Sequence, residues 1–310
     1  MLLSASLLEK SIARAPHRRA WLLGQMKARY INPFTDFGFK KLFGNEASKP
    51  QLMDFLNSML PAHAQIKDLS FRNAEQLGVD DADRKAIFDI YCEGLDGERF
   101  IVELQKAKQN YFKDRTVFYS TFPIREQAEQ GQWDYRLKSV YCVGVLDFTF
   151  DDGDKNDPQR GDVLHVIKLK NQHNEVFYEK LTYLYLEMPN FKKTEEELVT
   201  RLDKWLYFIR HLVDLQEIPR IFGGEAVFEG AFKKAELLAF NEAEQAGYEA
   251  SLKIYRDLKG VIDTARDEGE QIGLEKGEQI GREKALQELL AKLLANGIPE
   301  AEARRLVGSR

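Results

Sequence analysis

The sequence predicts an α/β fold: a mixed sheet flanked by helices, followed by an α-helical C-terminal extension. Three observations predict it. Two β-rich runs, residues 86–92 (AIFDIYC) and 99–105 (RFIVELQ), flank an Asp96-Gly97 turn signal. Residues 139–148 (SVYCVGVLDF) are almost continuously apolar, as in a strand buried on both faces. Beyond Pro189, apolar side chains recur at helical spacing: Leu198, Leu202, Trp205, Leu206, Ile209, Leu212 and Val213.

The remaining elements follow in chain order. Asn32-Pro33 and Thr35-Asp36 are helix-start signals, and Phe39, Leu42 and Phe43 recur on one helix face. Gly44-Asn45 interrupts this run, a second helix covers 49–60, and 66–73 reads as extended. After the two β runs, residues 107–130 predict a helix with one proline, Pro123. Residues 151–160 (DDGDKNDPQR) are a polar loop, and 163–170 and 175–187 are further strands. The core order is therefore αβββαβ. Helices are expected at 194–215 and 226–266, and residues 283–295 predict another, capped by Asn296-Gly297 before a short last helix from Pro299. Four divisions result: a basic extension (1–29), the α/β domain (30–190), a helical region (191–262) and a terminal segment (263–310).

In that terminal segment Ala265, Gly269, Gly273, Gly277, Gly281 and Ala285 fall every fourth position. Glycine costs a helix about 1 kcal/mol relative to alanine. Such a stripe reads either as a surface for close helix–helix approach, giving a homo-oligomer, or as a partly helical linker.

Composition narrows the function classes. The chain has 310 residues with a net charge of −5, so it is not a generally basic nucleic-acid binder. Charge is uneven, however: residues 105–138 hold seven Lys/Arg against four acids. Such a patch can attract phosphate locally, because screening leaves only nearby charges effective. No apolar stretch reaches the roughly 18–20 residues of a membrane span. Two cysteines, Cys92 and Cys142, are too few for a disulfide framework or cysteine zinc site; they read as small buried hydrophobes in a reducing cytoplasm. The first 25 residues weakly resemble a transit peptide, while Met26 opens a segment resembling a natural start. The histidines show no metal-ligand spacing, and Gly223-Gly224 lacks the context of a phosphate loop.

The chemistry concentrates in the two β runs. Asp89 and Glu103 are each embedded in apolar strand sequence, where an ionised carboxylate is costly unless paired or metal-bound. Glu103 and Gln105 share one face of their strand. A two-residue turn at Asp96-Gly97 would pair 89 with 104 and put Asp89 on the wrong face. A three-residue loop, Leu95-Asp96-Gly97 with Gly97 left-handed, pairs 94 with 98 and so 89 with 103. The acidic pair therefore requires that loop, or another that restores the same parity.

At these residues the sequence resembles a known family, the recombination-promoting nuclease/transposase (Rpn) family of the PD-(D/E)xK superfamily. The matching blocks are NPFTDFGFKKLFG (32–44), LMDFLNSML (52–60), residues 86–105, RTVFYS (115–120) and DYRLKSVYCVGVLDF (134–148), in order and at the expected spacing. The tail also resembles tails in this family. The resemblance implies a restriction-endonuclease-like core and a metal-dependent DNA endonuclease linked to recombination or transposition. It implies that Asp89 and Glu103 bind Mg²⁺, or another divalent metal such as Mn²⁺, with the Leu104 carbonyl as a further ligand. Gln105 stands in the lysine slot, where it can hydrogen-bond but carries no charge. Lys106 is expected on the other face. Asp36 is either an accessory acid or a helix-start residue. On the helix after the second strand, Lys113, Arg115, Tyr119 and Arg125 are either DNA contacts or an exposed face; Arg115 and Tyr119 are four apart and share a side. A second reading follows from the uncharged Gln105 and the long tail: a catalytically weak nuclease-fold protein that binds DNA or itself.

Overall fold

The computed structural model describes residues 28–76, 86–128, 131, 133–150 and 161–308. The basic extension up to residue 27, the alternative start at Met26 and the polar loop 151–160 lie outside the described residues. The order is α1 (Asp36–Phe43), α2 (Lys49–Asn57), β1 (Leu69–Phe71), β2 (Glu75–Gln76), β3 (Ala86–Ile87), β4 (Ile90–Gly94), β5 (Arg99–Gln105), α3 (Phe112–Arg125), β6 (Val140–Leu146), β7 (Leu164–Lys170), β8 (Val176–Glu187), α4 (Arg201–His211), α5 (Ala226–Ala235), α6 (Glu242–Ala295) and α7 (Glu300–Val307). This is the expected α/β arrangement of a PD-(D/E)xK-like core with helices after it.

Six strands form one sheet in the order β1-β4-β5-β6-β8-β7. β4 and β5 are an antiparallel hairpin; β5, β6 and β8 run parallel to one another; β7 pairs antiparallel with β8 at the edge. A parallel pair needs a crossover, and α3 supplies it between β5 and β6. All seven residues of β6 are buried, in keeping with its apolar run.

The two sheet faces carry different cores. One collects Ile90, Cys92, Phe100, Val102, Leu104 and Val143 against Phe39, Phe43 and Phe55 of α1 and α2, Trp205 and Phe208 of α4, and Phe228 and Phe232 of α5. The other collects Tyr91, Ile101, Cys142, Tyr183 and Tyr185 against Phe112 and Phe122 of α3. The strand alternation of β5 thus assigns Val102 and Leu104 to the first face and Glu103 and Gln105 to the α3 side. The helices after residue 190 share the first core with α1 and α2: Trp205 is fully buried and donates through Nε1 to Asp54 Oδ2 of α2 at 2.7 Å. Both cysteines are buried and free.

Several element bounds differ from expectation for local reasons. The helix expected at 107–130 begins at Phe112, because Tyr111 before it is left-handed (φ 61°). The helix expected from 194 begins at Arg201, where Thr200 and Asp203 form a capping box. The long helix expected from 226 breaks after Ala235: Ile31 donates its N–H to Ala235 O (2.9 Å) and Leu237 donates to Arg29 O (3.0 Å), so this backbone pairs with the N-terminal segment instead. Residues 283–295 belong to the continuous helix α6. Its start docks on α1 through Tyr248 Oη, which accepts the Asn32 N–H at 2.9 Å, and Ser251 Oγ, which accepts the Phe37 N–H at 3.1 Å.

The chain divides into two compact units, residues 1–255 and 256–310. The second holds the remainder of α6 and α7, joined at Gly297 (φ 80°). The glycines of the stripe are helical, and a Cβ at Gly269, Gly273, Gly277 or Gly281 would meet nothing within 4 Å.

Candidate active site

The site is built by the β4–β5 hairpin. Its loop is Leu95-Asp96-Gly97: Gly94 donates to Glu98 O at 2.9 Å, Gly97 donates to Gly94 O at 3.1 Å, and Gly97 is left-handed at φ 89°. The ladder pairs Glu93 with Arg99 and Ile90 with Val102, a register that puts Asp89 opposite Glu103. This is the three-residue loop that the parity of the acidic pair requires.

At Asp89 the backbone ladder ends and a side chain takes over. Asp89 Oδ2 accepts the Leu104 N–H at 2.7 Å, and the Asp89 N–H lies 3.4 Å from Glu103 Oε1. Odd residues of β5 bond to β6, as in Arg99 N–H to Ser139 O and Asp147 N–H to Gln105 O. Leu104 accordingly faces the β4 side, and alternation aims its carbonyl to the same side as Asp89.

Both carboxylates are half-buried, and among the described residues neither forms an ion pair. Burial pushes Glu103 up to about 8, and the Asp89 charge adds to this against the opposing pull of Arg115, the Asp89 N–H and Lys40. Burial likewise raises Asp89, opposed by the Leu104 N–H and Lys40. Two desolvated acids that repel one another fit a divalent cation, which would relieve both penalties. Among the described residues no group of three or more His, Cys, Asp and Glu side chains is placed to hold a metal.

Cations flank the pair on both sides. From α1, Lys40 pairs with Asp36 at 2.8 Å. Burial works against the Lys40 charge, but Asp36, then Asp89 and Glu103, outweigh it and hold the amine above its usual value. The helix cap is Thr35, whose Oγ1 accepts the Gly38 N–H at 2.9 Å, so Asp36 is a first-turn acid rather than the cap. Lys106, expected on the face opposite Glu103, lies within electrostatic range of Asp36, Asp89 and Lys40. Burial first, and then Lys40, lower its amine, against the pull of the two acids.

From α3, Arg115 and Tyr119 both lie within electrostatic range of Glu103. The other two cations expected on this helix are elsewhere: Lys113 sits over the Phe150 ring (4.8 Å) and Arg125 over Phe122 (5.4 Å). Gln105 is buried, and its amide is engaged at both ends. Its Oε1 accepts from Arg115 Nη2, and its Nε2 donates to Ala107 O at 2.8 Å.

Sequence reasoning did not single out Lys40 or Gly144. The signal for Lys40 was present: it stands four residues after Asp36 on one helix face. Gly144 of β6 is the register partner of Glu103, and a Cβ there would sit 2.9 Å from the Tyr185 ring. No pattern in the sequence marks that contact.

Residues 33–265 match the family described as PD-(D/E)XK nuclease family transposase. Neither a curated protein nor a solved structure matches the chain.

Proposed function

The chain belongs to the PD-(D/E)XK nuclease family transposases, and we propose that it is a divalent-metal-dependent DNA endonuclease acting at Asp89 and Glu103. The observation that carries this reading is the facing pair itself: two desolvated carboxylates on adjacent strands, pushed toward their protonated forms, with no cation paired to them among the described residues. Asp89, Glu103 and the Leu104 carbonyl would hold Mg²⁺ or Mn²⁺. A metal held there would supply Lewis acidity at the phosphodiester and would make water a stronger acid at neutral pH.

The chain's own residues do the remainder. Asp89 fixes the end of β5 through the Leu104 N–H, so both metal-binding groups are oriented before substrate arrives. Asp36 serves as an accessory acid whose charge Lys40 balances. Gln105 lies at the catalytic centre on the Glu103 side. Arg115 and Tyr119 meet the DNA beside the acids, and Lys113 and Arg125 meet its backbone further out, which supplies affinity without sequence choice. Among the described residues no helix is long and apolar enough to cross a membrane. We assign the protein to the cytoplasm, with the end of α6 joining copies into a homo-oligomer; recombination or transposition is the setting its family suggests.

A plasmid-nicking assay tests the reading. Wild type should nick supercoiled DNA only with Mg²⁺ or Mn²⁺, and Asp89→Ala should be slower by about 100-fold or more. Equal cleavage by the two proteins would refute the site. The absence of cleavage with every divalent metal would favour the second reading, a nuclease-fold protein that binds DNA or itself, which the uncharged Gln105 and the exposed helix beyond residue 255 support.

A further inference from the structure

The position that carries lysine in many members of the superfamily holds Gln105 here, and its surroundings offer another source of charge. An amide can orient a substrate only with atoms it has to spare. Gln105 has given its carbonyl oxygen to Arg115 and its nitrogen to the Ala107 carbonyl, and it is buried. It holds the guanidinium instead of facing the site as a free side chain.

Arg115 is fixed from several directions. Nη2 is held by Gln105 and Nη1 by Gln109 Oε1. The guanidinium lies 5.6 Å from the Phe112 ring centre and 5.8 Å from that of Tyr119. Thr116, the next residue, is anchored to β8 by a 2.7 Å hydrogen bond between its Oγ1 and Tyr185 Oη. Other donors are left over, among them Nε, which is buried and has no acceptor among the described residues. A buried N–H left unpaired carries a desolvation penalty, larger on a charged group. A guanidinium does not shed its charge to escape that cost. The guanidinium, within electrostatic range of Glu103 and with donors to spare, suits an anionic oxygen arriving with substrate.

We propose that Arg115 supplies the positive charge that lysine supplies elsewhere in the superfamily, its guanidinium contacting the scissile phosphate, and that Gln105 is its positioning residue. This rests on the nuclease reading above. It also explains why the slot is neutral: a lysine side chain in place of Gln105 would bring a second donor-only cation against Arg115 and drive it from its place.

Two measurements test the assignment on the full-length protein. The first is steady-state nicking with Mn²⁺, in which removing one preorganised charge should lower kcat by about 100-fold and raise KM by about 10-fold. Arg115→Ala should show this. Gln105→Ala should lose most of the same factor, and the double Ala variant should lose no more than Arg115→Ala alone. Gln105→Lys should be slower than wild type, yet in the Arg115→Ala background it should restore activity by about 10-fold. The second measurement needs no turnover: binding of a short duplex in Ca²⁺. Arg115→Ala and Arg115→Gln should each weaken it by about 10-fold, while thermal melts report folding.

If wild type cleaves and Arg115→Ala cleaves equally well, or if Gln105→Lys in wild type raises kcat, the assignment is wrong while the nuclease reading stands. If wild type does not cleave but binds the duplex, unchanged affinity in a folded Arg115→Gln variant overturns the assignment. If wild type neither cleaves nor binds, both readings fall.

Discussion

Asp89 substitutes a side chain for a missing backbone partner: its Oδ2 accepts the Leu104 N–H at 2.7 Å where the β4 ladder has stopped. The carboxylate therefore has a structural duty separable from any metal. Asp89→Asn keeps an acceptor and removes a penalised charge, whereas Asp89→Ala leaves the N–H unpaired. Without metal at pH 8, Asp89→Asn should melt at or above wild type. Asp89→Ala should be less stable than Asp89→Asn by about 1–3 kcal/mol. Both should lose cleavage. Identical melting of the two variants would mean that the Leu104 bond contributes nothing.

Glu103 sets a pH dependence with a definite sign. Its folded-state carboxyl is raised to about 8 from an ordinary value of 4.5, by burial and then by Asp89. Between those values the folded state holds a proton that the unfolded chain has released, so stability falls as pH rises. In chelator, the melting temperature should therefore decline from about pH 5 to about pH 8 through this group, and Glu103→Gln should flatten the decline. Mg²⁺ or Mn²⁺ should raise the wild-type melting temperature most at the alkaline end. A wild-type protein most stable at pH 8 in chelator would contradict the desolvation argument.

Much of this site was legible because strand parity is a two-valued question. Once the loop length is three, Asp89 must face Glu103, and the hairpin has that register with Gly97 left-handed. The apolar run located β6, since a strand buried on both faces has little room for polar residues. What escaped were relationships between segments distant in sequence. That α1 brings Lys40 to the acids depends on how α1 packs on the sheet. That Gln105 spends its amide on Arg115 depends on the angle at which α3 crosses β5. The break after Ala235 depends on backbone groups that residues 29–31 claim from about 200 positions away. None of these leaves a local pattern.

Gly144 is the second position where the site depends on the absence of a side chain. A Cβ there would stand 2.9 Å from Tyr185 Cδ1 and 3.3 Å from Leu146 Cδ2, both buried. Tyr185 in turn holds Thr116, the neighbour of Arg115. Gly144→Ala should lower stability by about 1–3 kcal/mol through overpacking. Tyr185→Leu should recover part of that loss in the double variant although it is destabilising alone. Strict additivity in this cycle, measured by denaturant melts, would show that the ring does not crowd position 144.

The glycine stripe admits a test in which its two readings predict opposite signs. Beyond residue 255, α6 exposes Val261, Ile272, Leu274 and Ile280, and a Cβ on any of its stripe glycines would meet no other group among the described residues. Replacing Gly269, Gly273, Gly277 and Gly281 by alanine should add roughly 1 kcal/mol of helix stability per site in an isolated helix. If the stripe is where two copies approach closely, the added methyls instead hold the backbones apart. With self-association as the proposal, light scattering should give the wild-type chain a mass above one copy and the four-alanine variant a single-chain mass, despite higher helicity by circular dichroism. A wild-type monomer, or a variant that associates as well as wild type, would end the case for the stripe as an interface and leave α6 as a solvated helix with costly glycines.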